Sequence, residues 1–399
     1  MTEMVIEGPI VTDAGVKREQ LRVEDGVIKD RGDLGLQADK VWNNDHLIFP
    51  GFGDIHVHLR EGEEFKEDFV TGSEAALNGG VTFCCDMPNN PISPVDQETM
   101  DRKLAKLPEH PVHIEMYAAM GPGTRPFGYI RYKCFLAHSV GPLFFEDLDA
   151  AEKLVADYAG CKITFHCEDP VMIEAAKGAA THELRRPPEA EAAAVARVVE
   201  WVEKYGIVAN IAHLSTSGAL KHALDSGKVT FEVTPHHLYF DTENRTQFLR
   251  GALLKMNPPL RPPSHRQDLL SAVKAGKPTF LATDHAPHPL EQKLSDNPPS
   301  GVPLLDTYGG FVTWLLVDQK VAPEIIHKMC CSNPADFLEL PDRGRLNPGC
   351  RADITVLDLK TPTTVQAEGL GTKCAWTPFE GVTFPGRVAQ VMIEGKVLR

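Results

Sequence analysis

The sequence has no excess of positive charge. Its 399 residues carry 41 Lys and Arg against 55 Asp and Glu, a formal net charge of −14. No basic block stands out. A general nucleic-acid binder must neutralise phosphates, so that class is excluded. An anionic substrate would need positive groups placed locally. No apolar run approaches the roughly 18 residues of a membrane span. The N-terminus, M-T-E-M-V-I-E-G, lacks a basic region and a long apolar stretch. Neither a transmembrane helix nor a signal peptide is expected, and no membrane partner. There is no C-x-x-C among the nine Cys; the number is odd, and Cys84-Cys85 and Cys330-Cys331 are adjacent pairs. A disulfide framework is not expected in so long a chain, and reduced buried thiols imply a cytoplasmic setting. No G-x-G-x-x-G or Walker loop follows a strand-like run, which weakens nucleotide-binding readings. A composition of 42% hydrophobic and 24% charged residues excludes collagenous, low-complexity and largely disordered chains.

What is there is a change of pattern along the chain. Residues 1–50 read as short strands and turns. V-I-E-G-P-I-V-T is one strand, and Q-L-R-V-E-D-G-V-I-K-D contains a hairpin with D-G at its turn. Residues 345–399 look alike, with A-D-I-T-V-L-D and V-A-Q-V-M-I-E-G-K-V-L. Both ends together predict one small β-sandwich domain. The stretch 51–344 alternates instead. Eight strand-like runs occur: Gly53–His58, Val81–Cys85, Val112–Tyr117, Ile130–Leu136, Cys161–His166, Val208–His213, Val229–Val233 and Thr279–Thr283. Helical stretches such as Asp149–Tyr158 and Glu189–Tyr205 lie between them. Repeated βα units imply a parallel sheet, and eight of them imply an α/β (β/α)8 barrel; a doubly wound open sheet is the alternative.

The polar residues at the ends of these runs form a set. His56 and His58 in D-I-H-V-H-L-R are two apart, so in a strand both face one side. Run five ends in His166, run six in His213 and run eight in Asp284, while run four carries Lys133. All would project at the carboxyl rim, where barrel enzymes place their sites. Taken singly, a strand-end His is an ordinary polar residue, Lys133 a rim cation and Asp284 a helix cap. Together they predict a metal site. Imidazole and carboxylate suit Zn²⁺ or a similar divalent ion. Four His and one Asp are sparse for two ions unless an anion bridges them.

These residues resemble the class I dihydroorotases of the amidohydrolase superfamily over nearly the whole chain. The most specific pieces are D-I-H-V-H-L-R-E (54–61), D-M-P-N-N (86–90), K-C-F-L (133–136), H-C-E-D (166–169), H-L-S-T (213–216), E-V-T-P-H-H-L (232–238), M-N-P-P-L-R (256–261) and T-D-H-A-P-H (283–288). The resemblance implies two Zn²⁺ ions. His56 and His58 would hold one, His166 and His213 the other, with a carboxylated Lys133 as the bridge. It implies that Asp284 both binds metal and shuttles the proton. Arg60 and Asn90 match residues that hold the substrate α-carboxylate, His288 a third contact, and Asn257 a residue lining the pyrimidine pocket. Ser139, after Lys133, falls where some relatives have a mobile loop and is a candidate contact. His236, His237 and His285 are read as structural or supporting, and Cys167 as a packed thiol. The implied reaction is reversible ring opening of dihydroorotate to N-carbamoyl-aspartate, a step of pyrimidine biosynthesis, by hydroxide held between the metals. Two features depart from common members. This chain reads H-L-R-E-G-E-E rather than H-L-R-E-P-G, and it keeps Lys133 where many bacterial members have aspartate.

Two other readings stay open. Dihydropyrimidinases, hydantoinases and allantoinases share the metals, but a neutral ring gives no reason for an Arg directly after H-x-H. An inactive scaffold for aspartate transcarbamoylase would be expected to lose ligands, and here each position is filled. The resemblance alone suggests a homodimer, and nothing in the sequence supports association with aspartate transcarbamoylase.

Overall fold

The computed structural model describes residues 3–138 and 143–399. The N-terminal segment forms β1 (Glu3–Thr12), β2 (Gly15–Glu24), β3 (Val27–Gly32), β4 (Lys40–Val41) and β5 (His46–Pro50). Asp25 and Gly26 both lie at positive φ between β2 and β3, as a two-residue hairpin turn requires.

The middle of the chain supplies β6 (Phe52–Val57), β7 (Val81–Asp86), β8 (His113–Met116), β9 (Ala118–Met120), β10 (Arg131–Phe135), β11 (Lys162–His166), β12 (Val208–Ile211), β13 (Thr230–Val233) and β14 (Phe280–Leu281). Neighbours pair in parallel, β6-β7-β8 in one sheet and β9 through β14 in the next. The run expected over Val112–Tyr117 is β8 alone, and β9 follows after Tyr117, beyond the expected run. The first and last strands meet as well. The His58 N–H donates to the His285 carbonyl at 2.7 Å, and Val57 bridges His285 in the parallel sense. Near this seam β14 is shorter than expected. The buried Asp54 carboxylate accepts the Thr283 N–H at 3.2 Å and also its hydroxyl, withdrawing Thr283 from the ladder. The arrangement is α/β with parallel strands, and a (β/α)8 barrel is consistent with it.

The helices cover the strands for local reasons. The helix Pro188–Tyr205 has Pro at its first turn and ends at Gly206 in the left-handed region. It buries Ala190, Ala194, Val198 and Trp201, a stripe at spacings of three and four. The stretch expected over Asp149–Tyr158 is a helix Leu148–Val155, capped by Asp147, followed by a 3-10 turn. Gly53 is required by close approach: a Cβ there would stand 2.2 Å from the Phe83 ring. Among the described residues no helix is long and apolar enough to cross a membrane.

The C-terminal segment adds β15 (Ile354–Asp358), β16 (Thr363–Thr364), β17 (Thr383–Phe384), β18 (Arg387–Ile393) and β19 (Lys396–Val397). β16 and β17 pair apart. The rest join the N-terminal strands in the order β19-β18-β15-β5-β1-β2-β3, with β4 beside β1. Ile6, Ile10, Leu21, Ile48, Ile354 and Met392 form their shared core. The two chain ends therefore meet, but in one continuous sheet. The two stacked layers of the expected sandwich are not confirmed by this pairing.

Candidate metal centre and substrate pocket

The strand ends bring the expected metal-ligating residues together. His56 and His58 both turn their Nε2 atoms toward Asp284 Oδ1, at 3.2 and 3.1 Å. Ligand atoms of His56, His58 and Asp284 lie within 4.8 Å of one another. The His56 ring centroid is 5.3 Å from His213, and His166 Nδ1 is 3.0 Å from His213 Nε2. Lys133 is fully buried on β10, and its Nζ has no hydrogen-bond partner among the described residues. Arg60, His213 and Asp284 all adopt positive φ, which non-glycine residues rarely do. Such conformations cluster where a site holds side chains against local preference.

Outer partners fix the imidazoles. His56 Nδ1 donates to Glu232 Oε2 at 2.8 Å and His58 Nδ1 to Asn89 Oδ1 at 2.7 Å. Each therefore turns its Nε2 inward, the arrangement of metal-ligating histidines. His166 uses the opposite nitrogen: its Nε2 meets Glu168 Oε2 at 2.7 Å, leaving Nδ1 facing His213. Arg186 Nε lies 3.0 Å from both Glu168 oxygens. Burial alone would raise the Glu168 carboxyl; Arg186 and His166 outweigh it and hold it below the usual carboxylate range.

The electrostatics suit cation binding. Burial pushes His58 down to about 3, and it also lowers His166 and His213, so these rings are neutral and carry lone pairs. Burial works against the Asp284 charge, but His56, His58 and His213 hold its carboxyl well below the ordinary range. Burial likewise lowers Lys133, favouring the neutral amine. Neutral imidazoles, one carboxylate and a partnerless buried amine fit a divalent metal centre.

The pocket beside this centre is lined by Arg60, Asn89, Phe135, Met256, Asn257 and Ser300, besides the ligands. Arg60 donates through Nε to the Pro287 carbonyl at 3.2 Å and sits 3.1 Å from His288 Nε2, while its Nη1 has no partner among the described residues. Asn257 Oδ1 accepts from Ser300 Oγ at 3.2 Å. His288 is buried against Arg60 and the Ser300 carbonyl, with Nδ1 unpartnered among the described residues. Asn90 departs from expectation. Its Nδ2 donates to the Glu61 carbonyl at 3.0 Å and its Oδ1 accepts from Lys103 at 2.8 Å, so both ends of the amide are engaged away from the pocket. Asn89, one residue earlier, lines the pocket instead. Ser139 lies outside the described residues.

The remaining histidines and Cys167 serve the frame. His237 is tied to Thr234 Oγ1 and the Pro258 carbonyl. His285 Nδ1 accepts from the Leu304 and Leu305 N–H groups. Cys167 is buried, and burial pushes its thiol up, away from reactivity. His236 is buried, with neither ring nitrogen partnered among the described residues. Sequence reasoning missed Asn89, Glu168, Arg186 and Glu232. The one signal for Glu232 was an acid inside an apolar strand run.

This fold and ligand set define a class. The Amidohydrolase family model matches residues 47–398, and the chain belongs to that family. Within it, the chain is 34% identical to a dihydroorotase of Pyrococcus furiosus over 417 residues, covering 99% of this chain and 92% of that protein. It is 32% identical to a dihydroorotase of Methanothermobacter thermautotrophicus over 403 residues, covering 94% and 90%. Among solved structures it resembles L-hydantoinase (dihydropyrimidinase) from Arthrobacter aurescens, with a TM-score of 0.91 at 23% identity, covering 100% of this chain and 96% of that one.

Proposed function

We propose that the protein is a zinc-dependent dihydroorotase that interconverts (S)-dihydroorotate and N-carbamoyl-L-aspartate. The observation that carries this reading is Arg60: a buried guanidinium that lines the pocket beside the metal-ligand set, with no partner for Nη1 among the described residues. A planar donor fork suits a carboxylate, and dihydroorotate carries one next to its ring. Full-length likeness to proteins named dihydroorotase supports it. In this reading residues 51–344 are a (β/α)8 barrel, and residues 1–50 and 345–399 are a small β-sandwich domain.

His56, His58 and Asp284 would hold one ion and His166 and His213 a second, with a carboxylated Lys133 between them. When bound, divalent ions lower the pKa of water and polarise a ring carbonyl. The chain's own residues do the rest. Arg60 receives the substrate carboxylate, with His288 supporting the guanidinium. Asn89, by way of His58, and Asn257, through Ser300, fix the wall against which the ring rests. Asp284 takes a proton from water as oxygen adds to the ring amide carbon. It returns that proton to the amide nitrogen as the C–N bond breaks. The reverse sequence closes the ring.

A paired assay tests the function. Purified, metal-replete protein is offered dihydroorotate and 5,6-dihydrouracil, and ring opening is followed by ultraviolet absorbance. Turnover confined to dihydroorotate is expected. Preference for dihydrouracil would move the protein to the hydantoinase side, which the likeness in fold also admits. The bridge has its own test. Lys133→Ala is expected to reduce metal content measured by mass spectrometry, with partial recovery on adding short carboxylic acids. Full occupancy without them would remove the carbamate from this account.

A further inference from the structure

We infer that Lys103, on a helix outside the strands, is the positioning residue that sets the anion fork of Arg60. The inference rests on the reading that Arg60 holds the substrate carboxylate.

Lys103 lies in the last turn of the helix Gln97–Leu104, where a lysine ordinarily extends into water. Here it is 0% exposed. Its Nζ donates to the Met87 carbonyl at 3.0 Å and to Asn90 Oδ1 at 2.8 Å, and it ion-pairs with Asp86 Oδ2 at 2.7 Å. Two hydrogen-bond acceptors and one carboxylate partner surround the ammonium. A buried charge is costly unless it is paired and hydrogen-bonded, and this one is both.

The other oxygen of Asp86 shows what the pair is for. It accepts the Leu59 N–H at 2.6 Å. Leu59 stands between His58 and Arg60. The Met87 N–H donates to the Val57 carbonyl at 2.8 Å, and Asn89 accepts from His58. Residues 57–59 and 86–90 are thus locked together, with Lys103 behind the lock. Arg60 follows immediately, at φ 58. Among the described residues no carboxylate lies within ion-pair distance of its guanidinium, so the direction of the fork depends on this backbone and on the Pro287 and His288 contacts.

The test compares wild-type protein with Lys103→Met and with the charge-balanced double variant Asp86→Asn, Lys103→Met. The double variant leaves no unpaired buried charge, so it keeps the experiment decisive if the single variant unfolds. Thermal unfolding and metal content are measured alongside kinetics. A misplaced binding group costs up to about 100-fold. We expect KM for dihydroorotate to rise at least about tenfold, with kcat within about threefold and metal content unchanged. A merely structural role would lower kcat or metal content and leave KM in place. Wild-type turnover together with an unchanged KM in the folded double variant would overturn the role of Lys103 alone. Wild-type protein inactive on dihydroorotate would overturn the functional reading, and this inference with it.

Discussion

Asp284→Asn is expected to lower kcat for dihydroorotate by about 1,000-fold, within the range for loss of a general acid–base group. Asp284 stands where three demands meet. Its Oδ1 lies 3.2 and 3.1 Å from the Nε2 atoms of His56 and His58. Its backbone at φ 50 turns the side chain into the pocket. Its carboxyl is held ionised by the surrounding imidazoles although burial opposes this, so it begins the reaction able to accept a proton. Asparagine keeps the shape and one oxygen toward the metal ligands but cannot carry the proton. Fold, followed by circular dichroism, and most of the metal should survive. A variant that kept its metal and stayed within tenfold of wild-type turnover would remove Asp284 as the proton carrier.

The second large effect concerns selectivity. Arg60→Ala should reduce kcat/KM for dihydroorotate by about 100-fold. Hydrogen bonds to a charged group contribute about 1.5–3 kcal/mol each, and about 1.4 kcal/mol is tenfold. Turnover of an uncharged dihydropyrimidine should change far less. The contrast follows from where Arg60 stands: it lines the pocket, and among the described residues its Nη1 is unpartnered, whereas Nε and Nη2 are occupied by Pro287 and His288. A structural salt bridge with Glu61 or Glu64, the ordinary role for such an arginine, is not seen. Glu61 pairs with Arg102 and Lys106, and Glu64 accepts the Gly62 N–H. Equal losses on both substrates would sink the assignment.

Several parts of this site could be read from the sequence because they obey a short-range rule. His56 and His58 share a face by the two-residue period of a strand, and the strand ends at His166 and His213 follow from apolar runs of ordinary length. The D-G hairpin needed only local turn chemistry. Other parts depend on closure of the fold. Glu232 is 176 residues from His56, and no periodicity links them. Lys103 looks like any helix-terminal lysine until the helix packs. In D-M-P-N-N two adjacent amides follow a strand end, beyond which alternation gives no direction. The expectation for Asn90 therefore rested on motif matching alone, whereas Asn89 is the amide that lines the pocket. The short β14 has the same origin, since the distant Asp54 side chain competes for the Thr283 backbone.

The seam between the first and last strands has a further consequence for how the protein is made. On the proposed reading its ligand set begins at His56 and is completed only by Asp284, and the bond that joins the first strand to the last runs from His58 to His285. A nascent chain emerging from the ribosome cannot assemble the full metal centre until nearly three-quarters of it has been synthesised. Contacts so distant in sequence form late and slowly. On that reading, tight retention of metal would mark completed folding. A fragment ending before residue 284 should capture the ion weakly if at all, however well its early helices form.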